Sequence, residues 1–140
     1  MNIKYTKTVK FVAFMELAIA VGIIAFWIAF FSADLVKIGD PHLEEIYMAF
    51  ESAFPVADIS LSIVLIIGGI GLLKKVPFGF LFSLLGGGSL IFLGLLDVSF
   101  NTQNGIYLLG IGEAVMNIFI NLLCLGGGIF IIVTIWKNRT

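Results

Sequence analysis

The sequence predicts an all-α integral membrane protein, an antiparallel four-helix bundle with both termini on the cytoplasmic side. Three observations predict it. Four apolar runs are each close to or longer than the ~20 residues that a bilayer core requires. Hydrophobic residues make up 60% of the chain and charged residues only 12%, about half the share of a soluble domain. The basic residues collect in alternate connections, which is how cytoplasmic faces are marked. The 140 residues suffice for one transmembrane domain, 1–140.

The first span covers about 11–33, interrupted only by Glu16. A cleaved secretory signal is the rival reading, with Phe31-Ser32-Ala33 as the cleavage motif. It is set aside because the apolar region is too long, Glu16 breaks it, and Phe31 is not small. The next connection is acidic, with Asp34, Asp40, Glu44, Glu45 and Glu51 against Lys37. Pro41 to Phe50 is rich in helix formers and reads as a short surface helix leading into the second span, about 54–73. Lys74-Lys75-Val76-Pro77 is a short turn, and Pro77 suits the start of the third span, about 78–96. Asn101 to Gly105 forms an uncharged turn in which Asn104-Gly105 favours positive φ. The fourth span covers about 107–136. Backbone in lipid must satisfy its own hydrogen bonds, so each span is a helix. No period-2 alternation supports barrel strands.

Lys4, Lys7, Lys10, Lys74, Lys75, Lys137 and Arg139 lie on one face of this arrangement and Lys37 alone on the other. The positive-inside rule makes the first face cytoplasmic and the chain a multi-pass protein of the cell membrane. The near-neutral charge of -1 provides no basic stripe for nucleic acid. The single cysteine, Cys124, excludes disulfide and CxxC chemistry and reads as a packing residue. The sequence calls for no cofactor.

Gly68, Gly69, Gly71, the Gly86–Gly88 triplet, Gly94 and the Gly126–Gly128 triplet fall inside the second to fourth spans. In lipid, small residues let helix backbones approach. These faces are expected to pack helix on helix, within the chain or against a second copy in a homo-oligomer.

The carboxylates carry the functional signal, because charge at bilayer depth costs about 2.5–3.5 kcal/mol on insertion scales. Counting at about 1.5 Å per residue puts Asp58 one turn below the outer surface and Asp97 at its edge. Glu51 lies i−7 from Asp58 on the same face, and Asn101 one turn beyond Asp97. Glu113, Asn117 and Asn121 repeat at four-residue intervals. Three helices are thus expected to bring Glu51, Asp58, Asp97, Asn101, Glu113 and Asn117 into one outward acidic pocket. Such carboxylates repel one another unless a proton or a cation joins them. The expected ligand is a small cation such as Ca²⁺ or Mg²⁺, or an amphipathic, lipid-like amine. Zinc or iron is not expected, since His42 alone could offer nitrogen. Pro55 is either a first-turn proline or an interior one that frees the Glu51 carbonyl. Glu16 lies nearer the inner side, where it snorkels or accepts a hydrogen bond from another helix. The aromatics Phe26-Trp27 and Phe30-Phe31 crowd the outer half of the first span.

Phe50-Glu-Ser-Ala-Phe-Pro-Val-Ala-Asp58, Leu95-Leu-Asp-Val-Ser-Phe-Asn101 with Asn104-Gly-Ile-Tyr107, and Glu113-Ala-Val-Met-Asn117 resemble a pattern in small uncharacterised prokaryotic four-helix membrane proteins. That resemblance implies a shared fold and no activity. Asp34-Leu35 and Asp40-Pro41 are similar to the pattern of the sterol-isomerase and sigma-2-receptor superfamily. This second likeness implies a pocket for amphipathic amines or sterols, with Asp58 and Glu113 as the nearest acidic counterparts. The chain lacks the intramembrane histidine of that group. Three functions therefore stand at the level of sequence: an acidic pocket binding a cation or amine, an accessory subunit packing through glycine faces, and an isomerase-like enzyme on a lipid-soluble substrate.

Overall fold

The computed structural model describes residues 3–33 and 38–140. Asp34, Leu35 and Lys37, which the sequence places in the acidic connection, lie outside the described residues. The elements are α1 (Lys7–Ser32), α2 (Pro41–Glu51), α3 (Phe54–Leu73), α4 (Pro77–Gln103), a 3₁₀ turn (Ile106–Leu108) and α5 (Ile111–Lys137). Four helical stretches, Lys7–Ser32, Pro41–Leu73, Pro77–Gln103 and Ile111–Lys137, are long and apolar enough to cross a membrane. Their outward faces are apolar: Val21, Ile28, Phe31, Phe92, Phe119 and Leu122 are all exposed. A water-facing surface would not carry so continuous an apolar coat.

Local chemistry sets the boundaries. Thr6 caps α1, its hydroxyl accepting from Val9 N–H at 3.3 Å. Asp40 caps α2, with Oδ1 accepting from His42 N–H at 2.9 Å, and Pro41 follows at a position that needs no donor. α2 stops at Glu51, and α3 restarts at Phe54 with Pro55 in its first turn. Pro55 is therefore a helix-starting proline. α3 ends in a Schellman motif: Val76 N–H bonds Gly71 O at 3.0 Å and Lys75 N–H bonds Leu72 O at 3.2 Å. The left-handed position falls on Lys75, at φ 58°. After α4 the reversal turns on Gly105, at φ 66°. α4 continues to Gln103, beyond the span end read near Leu96, so Asp97 and Asn101 both stand on helix.

α1 packs along α3, α3 along α4, and α4 along α5, whereas α1 and α5 touch sparsely. The glycines build the three full interfaces. A Cβ on Gly69 would stand 2.8 Å from Ala13 O, joining α1 to α3. One on Gly71 would stand 2.6 Å from Gly79 Cα, joining α3 to α4, and one on Gly128 would stand 2.6 Å from Gly87 O, joining α4 to α5. Backbone approach this close excludes any side chain. Gly22, Gly88 and Gly126 instead face open space.

One end of the bundle gathers the termini. Lys4 N–H bonds Asn138 O at 2.7 Å, Ile3 bridges Arg139, and Lys75 Nζ lies 5.7 Å from the Tyr5 ring centroid. This is the basic end. The opposite, acidic end carries α2 and the α4–α5 turn.

Candidate functional site

Between the helices toward the acidic end lies a cavity of about 420 Å³, within the range of small-molecule sites. α1 contributes Met15, Gly22 and Trp27 among others, α3 contributes Asp58, α4 contributes Leu90 and Asp97, and α5 contributes Asn117 and Cys124. α2 adds Tyr47 and Glu51. Three carboxylates thus share one wall, and no Lys, Arg or His among the described residues lines it.

Asp58 is the best-defined group. It lies in the second turn of α3 and is 8% exposed. Trp27 Nε1–H donates to its Oδ2 at 2.8 Å. The indole is held by an edge-on contact to Phe30 at 5.1 Å and a tilted one to Phe31 at 5.7 Å. Ser62 donates its hydroxyl to the Asp58 carbonyl at 2.9 Å. The other carboxylate oxygen, Oδ1, is buried and has no partner. A buried acceptor without a donor costs about 1–3 kcal/mol, so the fold maintains an unused acceptor on a side chain that lines the cavity.

Asp97 is tied into an amide chain. Asn101 Nδ2 donates to Asp97 Oδ2 at 3.2 Å and to Asn117 Oδ1 at 3.1 Å. Asn117 Nδ2 donates to the Glu113 carbonyl at 2.9 Å. The chain fastens α4 to α5 and orients the Asp97 carboxylate. Asn101 is fully buried behind the wall and does not line the cavity. Glu51 ends α2, which is docked by Phe50 stacked on Phe100 at 3.8 Å and 2°.

The structure therefore brings together four of the six residues expected at the pocket: Glu51, Asp58, Asp97 and Asn117. Asn101 acts one step behind. Glu113 is corrected: it sits exposed in the first turn of α5, off the cavity wall, and contributes through its backbone carbonyl. Glu113 shares the helix face of Met116, Asn117 and Ile120, which line the cavity, but stands one turn nearer the start of α5, past the cavity's end. Trp27 is the member that sequence reasoning did not join to the site. Its hint was a ring with an N–H in an otherwise apolar segment, which needs a partner when buried.

Among the described residues no three His, Cys, Asp or Glu side chains converge closely enough to hold a metal ion. The arrangement suits a ligand that donates hydrogen bonds and carries positive charge. Glu16 forms a separate feature. It is fully buried with α4, its Oε2 accepting from Ser83 Oγ at 3.1 Å, and Oε1 has no partner. Of the two fates expected for Glu16, snorkelling or an interhelical hydrogen bond, the second is what the side chain adopts.

The family model DUF8058, a domain of unknown function, matches residues 6–140, and the chain belongs to that family. No curated protein and no solved structure matches it. No match links it to the sterol-isomerase and sigma-2-receptor superfamily.

Proposed function

We propose that this DUF8058 protein is a membrane receptor or carrier for an organic cation, bound through Asp58 in the cavity between its helices. The single observation that carries this reading is the free, buried Oδ1 of Asp58 beside an Oδ2 already held by Trp27. A protonated amine supplies the missing donor and the missing charge together. Charge-assisted hydrogen bonds of this kind contribute about 1.5–3 kcal/mol. The carboxyl groups of Asp97 and Glu51 line the same cavity and add further acceptors. The apolar remainder of the wall takes the hydrocarbon part. The absence of a convergent metal-ligand set among the described residues favours an amine over Ca²⁺ or Mg²⁺.

The orientation belongs to the same proposal. The bundle is antiparallel with both termini cytoplasmic, because the end that carries Lys4, Lys7, Lys10, Lys74, Lys75, Lys137 and Arg139 is the one the positive-inside rule retains. The cavity then opens toward the outer leaflet. A cysteine at Ser52 should react with an impermeant thiol reagent on intact cells, and one at Asn138 should not.

The test of binding is thermal stability in detergent with a medium-chain primary alkylamine, against the alcohol of equal length. Wild type should gain several degrees with the amine alone, and Asp58→Asn should gain nothing. Equal shifts in both proteins would refute the reading. The accessory-subunit alternative draws less support, since the glycines in closest contact are consumed inside the chain. Gly86, for instance, faces Leu65 Cδ2 at 2.7 Å from its would-be Cβ.

A further inference from the structure

The cavity has a side entrance and a polarity, and both bear on what its ligand is. α1 and α5 are the two ends of the packing series α1–α3–α4–α5 and close on each other poorly. They are tied at the basic end by Thr6 Oγ1 donating to Asn138 Oδ1 at 3.3 Å and by Phe11 edge-on to Phe130 at 6.0 Å. At mid-height a Cβ on Gly127 would stand 3.7 Å from Ile19 Cδ1. Farther toward the acidic end both helices line the cavity. There Met116, Phe119 and Leu123 are cavity wall and at the same time exposed outer surface, Phe119 at 65%. These residues border the cavity where the α1–α5 packing is thin. The acidic end, by contrast, is covered by α2, whose Tyr47 and Glu51 face inward and whose Phe50 packs on both Phe54 and Phe100.

The wall is also graded. Glu51, Asp58, Asp97 and Asn117 sit at the acidic end, whereas Met15, Ile19, Leu90 and Cys124 form the far end. From Trp27 down to Met15 the cavity follows α1 for twelve residues, about 18 Å. A head at Asp58 and a tail toward Met15 is the orientation an amphipath already has in that leaflet.

We infer that the ligand is a single-chain amphipathic amine bearing at least one N–H, which enters sideways from the leaflet through the α1–α5 gap, head to Asp58 and tail toward Met15. The inference rests on the amine reading above and adds the route, the orientation and the headgroup. A quaternary ammonium has charge but no N–H for Oδ1, so it is the discriminating analogue.

The test uses the full chain in phosphatidylcholine vesicles with a primary alkylamine that carries a diazirine at its tail end. Photolysis should place adducts near Met15, Ile19 and Leu90, and unlabelled alkylamine should compete about tenfold better than its trimethylammonium counterpart. Gly22→Phe narrows the cavity rim at the gap from a position with open space around it and should slow the onset of labelling about tenfold while keeping the wild-type melting temperature. Leu123→Trp, on the opposite rim, serves if Gly22→Phe fails to fold. Labelling lost in Asp58→Asn but as fast as in wild type in both rim variants would overturn the lateral route and leave the amine site standing. Labelling indifferent to Asp58 and to the headgroup would mean that an acyl chain alone fills the cavity, and would overturn both.

Discussion

Trp27 and Asp58, 31 residues apart, meet in a buried hydrogen bond of 2.8 Å between the indole N–H and Oδ2. The bond splits the carboxylate into one oxygen used by the fold and one left for a ligand. Trp27→Phe keeps most of the aromatic packing and deletes the donor. It should destabilise the protein by about 1–3 kcal/mol, read as a lower melting temperature in detergent. Asp58→Leu, which removes the acceptor, combined with Trp27→Phe should cost less than the two changes added, because both remove one interaction. Strict additivity would show that the contact contributes nothing.

The four long apolar helices, Pro77 at a helix start and the reversal at Gly105 were legible in the sequence, because each depends on local composition and on apolar length. So was the burial of Asp58, the carboxylate of the outer cluster that depth-counting put deepest. What local reasoning lacked was where along each helix the cavity ends and how side chains pair across helices. Counting put Glu113 level with the pocket, whereas it stands one turn beyond the cavity's end on the same helix face. Trp27 looked like one more aromatic until α1 was laid along α3. Glu16 found Ser83, 67 residues away, through space that Gly68 leaves free.

The two glycine triplets should not behave uniformly. In the second, Gly126 faces open space while Gly128 meets the Gly87 carbonyl at 2.6 Å from a would-be Cβ. Gly128→Ala should cost about 1–3 kcal/mol through forced separation of α4 and α5. Gly126→Ala should leave stability unchanged or raise it by up to about 1 kcal/mol through helix propensity. Melting temperatures of the two variants side by side decide it, and equal effects would argue against the packing described here.

Lys75 occupies a left-handed position that glycine fills at little cost. Lys75→Gly should therefore stabilise the α3–α4 turn by about 1 kcal/mol, provided that Lys74 still anchors the loop. A melting temperature below wild type would indicate that the cation–π contact with Tyr5 outweighs the backbone strain.

Glu16 and Ser83 form the second buried polar pair, at 3.1 Å, with one carboxyl oxygen unpartnered. Removing a single member leaves the other without a partner in an apolar interior, and removing both need not. Ser83→Ala should cost about 1–3 kcal/mol because the carboxyl group loses its one hydroxyl donor. Glu16→Gln keeps an acceptor for that hydroxyl and should lie close to wild type. Glu16→Met together with Ser83→Ala replaces the pair by apolar groups of similar shape and should recover most of the loss from Ser83→Ala alone. Chemical denaturation in a fixed detergent would compare the four proteins. If the double variant is instead the least stable of them, the buried carboxyl is held by more than Ser83, and the unpartnered Oε1 becomes the atom to explain.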